Sequence, residues 1–323
     1  MKWNCIYLAA ILPWLLVSSC RYEEDLSSCP PESSEVRLKV VVRNIAIPHM
    51  DNLIDDSDVS DVQLYIFNAS DILTEVRHTQ INKEEKIVNK EVVHCVAFAN
   101  ITEHLDVLPL TVGVSTIDDA CVDLRAAGHF GEHSVYDYPG DIFWGSVSVA
   151  AAASTEGVVE LPIMRKVSGV YIEASGLKDY IIKQMNIAEP EDSKITMLIH
   201  DEYNEMDFRG YPLFNTKVGG EVHYQARGSY DAKSDYIYKA PVQINDSPNF
   251  YLVGGTPYPG FQTDVRIFYD EQELPISPIS TPDMRLIDGV LNVFRLHFGT
   301  DNEVSVDVKR TGWDGQTEID KGW

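Results

Sequence analysis

An all-β protein of two β-sandwich domains in tandem is what this sequence predicts, and three observations carry the prediction. Short segments from VRLKVVV (36–42) to NEVSVDVKR (302–310) alternate apolar and polar residues with the period of two that a half-buried strand requires. Gly, Pro, Asn and Asp gather between those segments as turn formers. Helical periodicity is nearly absent. The chain has 323 residues, and the 304 that remain after a 19-residue leader suit two sandwiches better than one.

The leader comes first. Met1, Lys2 and Trp3 make a cationic start, and IYLAAILPWLLV (6–17) is an apolar run of signal-peptide length. It is shorter than the roughly 20 residues that cross a bilayer. Val17, Ser18 and Ser19 then precede Cys20, which is the pattern of a bacterial lipobox. The expected outcome is cleavage before Cys20 and acylation of its thiol, with each buried CH2 adding about 0.8 kcal/mol of membrane affinity. Residues 1–19 are thus read as a lipoprotein signal peptide and 20–35 as a lipidated acidic tether, RYEED (21–25) opening it and two prolines stiffening its end.

Strands follow in series, with an N-terminal sandwich expected over 36–164 and a C-terminal one over 165–323. In DVQLYIFN (61–68), Val62, Leu64 and Ile66 share one face while Tyr65 and Phe67 take the other, so this strand is predicted to be central. ILTEVRHT (72–79), VVHCVAFA (92–99), IFWGSVSVA (142–150) and GVVELPIM (157–164) continue the pattern. TIDDACVDLRAAG (116–128) reads as a short helix capped by Asp118 or Asp119 and ended by Gly128. Beyond the break at 164–166, strands are expected at 167–177, 194–200, 221–226, 236–245, 249–255, 263–269, 289–299 and 302–310.

Formal charge is −24, and loss of Lys2 with the leader leaves −25. So acidic a surface repels phosphate, which excludes nucleic acid as a partner and holds the body of the protein off anionic lipid headgroups. Cys5 leaves with the leader, and Cys29, Cys95 and Cys121 permit one disulfide in three pairings, or a simply buried Cys95.

Chemical motifs are weak. HFGEH (129–133) sets His129 and His133 at a metal-binding separation with Asp137 and Asp141 downstream, but its glycines and the following Pro139 argue for a loop and no metal. DDSDVSD (55–61) begins like a calcium loop, yet Asp61 stands at the turn glycine and Phe67 at the bidentate glutamate. No nucleophile elbow, P-loop or dinucleotide fingerprint occurs, so neither cofactor nor catalysis is expected. Tyr224, Tyr236, Tyr238, Tyr251, Tyr258 and Tyr269 lie close in sequence; they read first as sheet residues and second as sugar-stacking rings of a surface glycan-binding lipoprotein.

SSC (18–20), DLSSCP (25–30), VRLKVVV, DVQLYIFNASDIL (61–73), VVHCVAFAN, GDIFWGSVSV (140–149) and ELPIMRKVSGVYIEASGL (160–177), in this order and spacing, resemble the FimB-like family of Bacteroidales fimbrial anchor lipoproteins. The acidic RYEED resembles the export tract of lipoproteins that reach the outer face of the outer membrane in that group. The resemblance implies two transthyretin-like sandwiches, an outer-membrane lipid on Cys20, and pilin subunits as partners through strand exchange. Polymerising pilins of the family lose a first strand to a protease. The resemblance implies that an anchor or cap keeps it, so that 36–42 stays in place and Arg37 and Arg43 are not cut.

Overall fold

The computed structural model describes residues 34–43, 59–89, 92–101, 105–150, 157–201, 203–214, 222–244, 263–284, 286, 289–312 and 318–319. The leader, Cys20, Cys29, nearly all of the tether, residues 55–58 and the strand expected at 249–255 lie outside them. In chain order the strands are β1 (Ser34–Val42), β2 (Val62–Phe67), β3 (Leu73–Thr79), β4 (Glu84–Asn89), β5 (Val93–Ala99), β6 (Leu105–Val107), β7 (Cys121–Leu124), β8 (Ala126–Phe130), β9 (His133–Tyr136), β10 (Phe143–Val149) and β11 (Val158–Arg165). After these come β12 (Ser168–Ser175), β13 (Ile195–Asp201), β14 (Tyr203–Asp207), β15 (Pro212–Phe214), β16 (Val222–Ala226), β17 (Ser229–Asp231), β18 (Ser234–Ile244), β19 (Asp264–Tyr269), β20 (Gln272–Glu273), β21 (Leu291–Phe298), β22 (Val304–Thr311) and β23 (Glu318–Ile319).

The first sandwich is one sheet, β3-β2-β5-β10-β11-β1-β4, folded over a corner. At that corner β10 and β11 share only two residue pairs, Phe143 with Arg165 and Trp144 with Met164. Gly145 stands there because a Cβ would collide with the Pro162 carbonyl oxygen. Folding over brings Leu38 of β1, Leu64 of β2, Cys95 of β5 and Ile163 of β11 into one apolar interior. β2 is interior to the sheet, as its two apolar faces predict: Val62, Leu64 and Ile66 point into the sandwich, Tyr65 and Phe67 out of it.

Those outward rings belong to a second, larger core. Phe208, just beyond β14, places its ring 4.7 Å from Tyr65 and 4.9 Å from Phe98 between centroids. Trp144 donates its indole N–H to the Phe208 carbonyl at 3.2 Å. Gly210, with φ +84°, lets the chain turn beneath the Trp144 ring, where a Cβ would approach to 2.5 Å. The same core continues through Val122 of β7 and Met206 of β14 into the second sandwich, where β17-β18-β12-β21-β22-β23 faces β20-β19-β13-β16-β9-β8.

The expected break at 164–166 overlaps the end of β11, just ahead of β12, and strands on its two sides pair with each other. β7 runs antiparallel to β14, with Asp123 opposite Glu205 and Cys121 opposite Asp207, inside a small sheet β15-β14-β7-β6. β9 runs parallel to β16, with Val135 opposite His223. Each half therefore lends strands to the other. At the crossing itself Arg165 is buried and forks onto Asp141 at 2.5 and 2.6 Å while lying over the Phe143 ring.

Two expectations are corrected. The helix expected at 116–128 is only a 3-10 turn, Ile117–Asp119, followed at once by β7 and β8. Asp119 closes that turn by accepting from the Thr116 N–H and hydroxyl, whereas Asp118 pairs with Arg209 at 2.9 Å. Val122 and Leu124 alternate into the core opposite β14, and that burial overrides the local capping signal. Conversely, a helix α1 (Leu177–Met185) starts where a strand was expected to end, burying Leu177, Tyr180 and Ile181 at helical spacing.

Replacing Phe208 by Ala empties the joint between the halves and is expected to cost about 3–5 kcal/mol in urea denaturation. Tyr236→Ala, at a half-exposed ring, should stay within about 0.5 kcal/mol.

Candidate functional site: the seated first strand

The residues of β1 read SEVRLKVVV, and the fold uses their alternation from Val36 to Val40. Val36, Leu38 and Val40 point into the first sandwich and are buried. Arg37 and Lys39 point outward. One edge of β1 pairs in parallel with β11 from Arg37 opposite Val158 to Val42 opposite Ile163. The other edge pairs antiparallel with β4 from Ser34 opposite Asn89 to Lys39 opposite Glu84. Neither edge is open.

The C-terminal end of the strand is fastened as well. The Arg43 N–H donates to the Ile163 carbonyl at 2.9 Å, and its guanidinium meets Glu160 at 2.7 Å. Lys39 reaches Glu160 from the same face at 3.6 Å. Arg43, with Lys39 behind it, holds the Glu160 carboxyl below the usual carboxylate range. Asn82, in the turn before β4, donates its N–H to the Val40 carbonyl at 2.9 Å. At the other end Lys86 pairs with Glu35 at 2.9 Å.

Such a strand can do one of two things. Left in place, it closes the sandwich. Removed, it would uncover an apolar groove and two unpaired ladders, and burying Val, Leu or Ile side chains in that groove is worth about 1.5–3 kcal/mol apiece to whatever strand replaces it.

The other candidate residues scatter. His129 is exposed, and β8 and β9 form a hairpin about Gly131 rather than a loop. His133 lies against His223, ring centroids 4.6 Å apart, and His223 stacks on His200 at 5.2 Å, with His200 3.1 Å from an Asp264 oxygen. Sequence reading paired His133 with His129; its real neighbours come from distant strands and left no local signal. Among the described residues no group of His, Cys, Asp or Glu is placed to hold a metal ion. Burial, with His200, His133 and Arg266 nearby, pushes His223 down to about 4. Asp141 is taken by Arg165, and Asp61 faces His78 at 3.2 Å. Tyr224, Tyr238 and Tyr269 are core residues, as the sheet reading predicts; Tyr236 is half-exposed, and Tyr251 and Tyr258 lie outside the described residues. Cys95 is a buried free thiol, pushed by desolvation up to about 12.

The sequence matches a family model described as fimbrillin-A associated anchor proteins Mfa1 and Mfa2 over residues 26–318. The chain belongs to the Mfa2 fimbrial anchor family. Nothing matches among the curated proteins. Solved structures share the fold of this Mfa2-family chain at low identity. The fimbrial anchor protein Mfa2 from Porphyromonas gingivalis superposes with a TM-score of 0.59 at 13% identity, covering 89% of this chain and 99% of that one. A candidate polysaccharide-binding protein from Bacteroides thetaiotaomicron gives 0.57 at 11% identity, covering 87% and 100%. A candidate adhesin from the same species gives 0.54 at 14%, covering 91% and 100%. Family membership makes this chain a fimbrium-associated surface protein and places it in no enzyme class.

Leu38→Ala should lower the stability of the first sandwich by about 2–5 kcal/mol in urea. Arg37→Ala, on the outer face, should leave it nearly unchanged. A thiol reagent at pH 8 should modify Cys95 only after denaturant is added, since the folded thiol stays protonated there.

His223 generates a pH dependence. Its folded value of about 4 lies below the 6.5 of an ordinary histidine, so the unfolded chain takes up the proton first. Stability present above pH 6.5 is therefore lost progressively as pH falls toward 4, by as much as about 3 kcal/mol. In urea titrations His223→Gln should flatten the decline over that window relative to the native chain.

Proposed function

We propose that this protein is an outer-membrane lipoprotein that anchors or caps a fimbrium and meets pilin subunits by strand exchange. One observation carries the reading: β1 is an interior strand paired along both edges, so the chain supports an end to polymerisation at its own groove. On this view the lipid on Cys20 holds the base, residues 20–35 are the tether, and the pilin receives a strand rather than supplying one. The body is two sandwich domains, 36–164 and 165–323, whose hairpins are traded across the break. The acidic surface keeps that body away from anionic headgroups while the acyl chains stay inserted.

Mass spectrometry of the protein taken from cell surfaces tests it. The expected product begins at an acylated Cys20 and runs unbroken through Arg43. A chain beginning after Arg43 would make it a polymerising subunit instead. In cells, Cys20→Ala should detach fimbriae or lengthen them, and unchanged attachment and length would contradict the anchor role.

A further inference from the structure

The second sandwich carries a built cleft on the face of its β12-containing sheet, and we infer that this cleft binds a neutral sugar ring. It measures about 410 Å³ and is lined by Tyr138, Gly169, Tyr171, Pro241 and Leu291. Gly169 leaves the floor open, since no side chain rises between Gln243 on one neighbouring strand and Leu291 on the other. Tyr171 stands two residues along the same face, opposite Pro241 and Val293. Tyr138 arrives from the chain segment after β9. Its hydroxyl donates to the Gln225 carbonyl and its ring stacks near Tyr224, at 15° between planes, so it is held rigidly although 39% of it is exposed. Two tyrosines, a proline and an open floor form the flat apolar surface on which the CH face of a pyranose stacks.

The chemistry beside the cleft chooses the ligand. The next row across the sheet is an alternating ladder of charges. Asp231 meets Lys239 at 3.3 Å, Lys239 lies opposite Glu173, Glu173 accepts from Arg295 at 3.0 Å, and Arg295 approaches Asp307 at 3.9 Å. Each charge is already balanced by its neighbour, so the row offers little to an ion and much to hydroxyl groups. Planar carboxylates and a guanidinium accept and donate several hydrogen bonds each, and charge-assisted bonds are the stronger kind. An anionic ligand would also face the repulsion of the whole −24 surface. A neutral hexose, stacked on Tyr171 with its hydroxyls toward Glu173 and Lys239, meets both requirements. The inference stands independently of the anchoring role.

Saturation-transfer NMR on the full-length protein with methyl glycosides of glucose, galactose, mannose and N-acetylglucosamine tests it. A ligand of about a dozen heavy atoms predicts a Kd of about 1 mM for at least one of them. Tyr171→Ala should weaken that binding at least about tenfold, and Tyr171→Phe, which keeps the ring, should leave it within about threefold. Tyr171 points away from the sandwich core, so both variants should unfold at the native temperature, which a thermal melt checks. No transfer to any glycoside at about 20 mM would overturn the proposal, as would transfer equal in the native protein and Tyr171→Ala. Binding of a proline-rich peptide in the absence of sugar binding would overturn it too.

Discussion

The first sandwich rests on one strand. β4 has β1 as its ladder partner among the described strands, and β11 is otherwise joined to the sheet by only two residue pairs at the corner. Taking β1 out would therefore detach half of the sandwich from its hydrogen-bonding frame and expose its apolar interior. Besides the short turn that joins them, the two outer strands would still meet where Arg77 donates to the Lys86 carbonyl and Thr79 to Glu85, both at 2.7 Å. The first is exposed and contributes little against water, and the second is a single bond from the buried Thr79. A sandwich built this way is stable with its first strand seated and needs a substitute strand when it is gone, which is the physical requirement that strand exchange between subunits exploits.

Beyond β1 the two halves share one apolar core. The halves are joined by the β7–β14 ladder, by the β9–β16 contact and by Phe208 seated among Tyr65, Phe67 and Phe98. Arg209, next in the chain, adds Asp71 and Asp118 of the first half. Separating the halves requires breaking the aromatic core and both strand contacts together, rather than a flexible linker giving way.

The strands were legible because the pleat imposes a period of two wherever one face is buried, and β1, β11 and β12 show it along much of their length. The central place of β2 was legible too, since only a strand covered on both faces carries Leu64 and Tyr65 side by side. Local signals failed where distant partners decided. Asp118 and Asp119 look like helix caps, but β14, some 80 residues on, draws Val122 into a strand. Leu177 looks like the end of a strand, but it opens α1 because Tyr180 and Ile181 repeat its face. The traded hairpins left no mark in the sequence, for nothing near Val135 announces His223. For β1 the pattern showed one apolar face and the family resemblance implied that the strand stays in place, but neither showed that both its edges are filled.

Native-state hydrogen exchange read by mass spectrometry bears most directly on the central claim. If β1 is a permanent member of the sheet, amides of residues 36–42 should exchange as slowly as those of β5 and β10, and they should be released together with them only on global unfolding. Exchange of 36–42 within seconds, while β5 and β10 remain protected, would show the strand leaving its groove in the folded protein and would contradict the account.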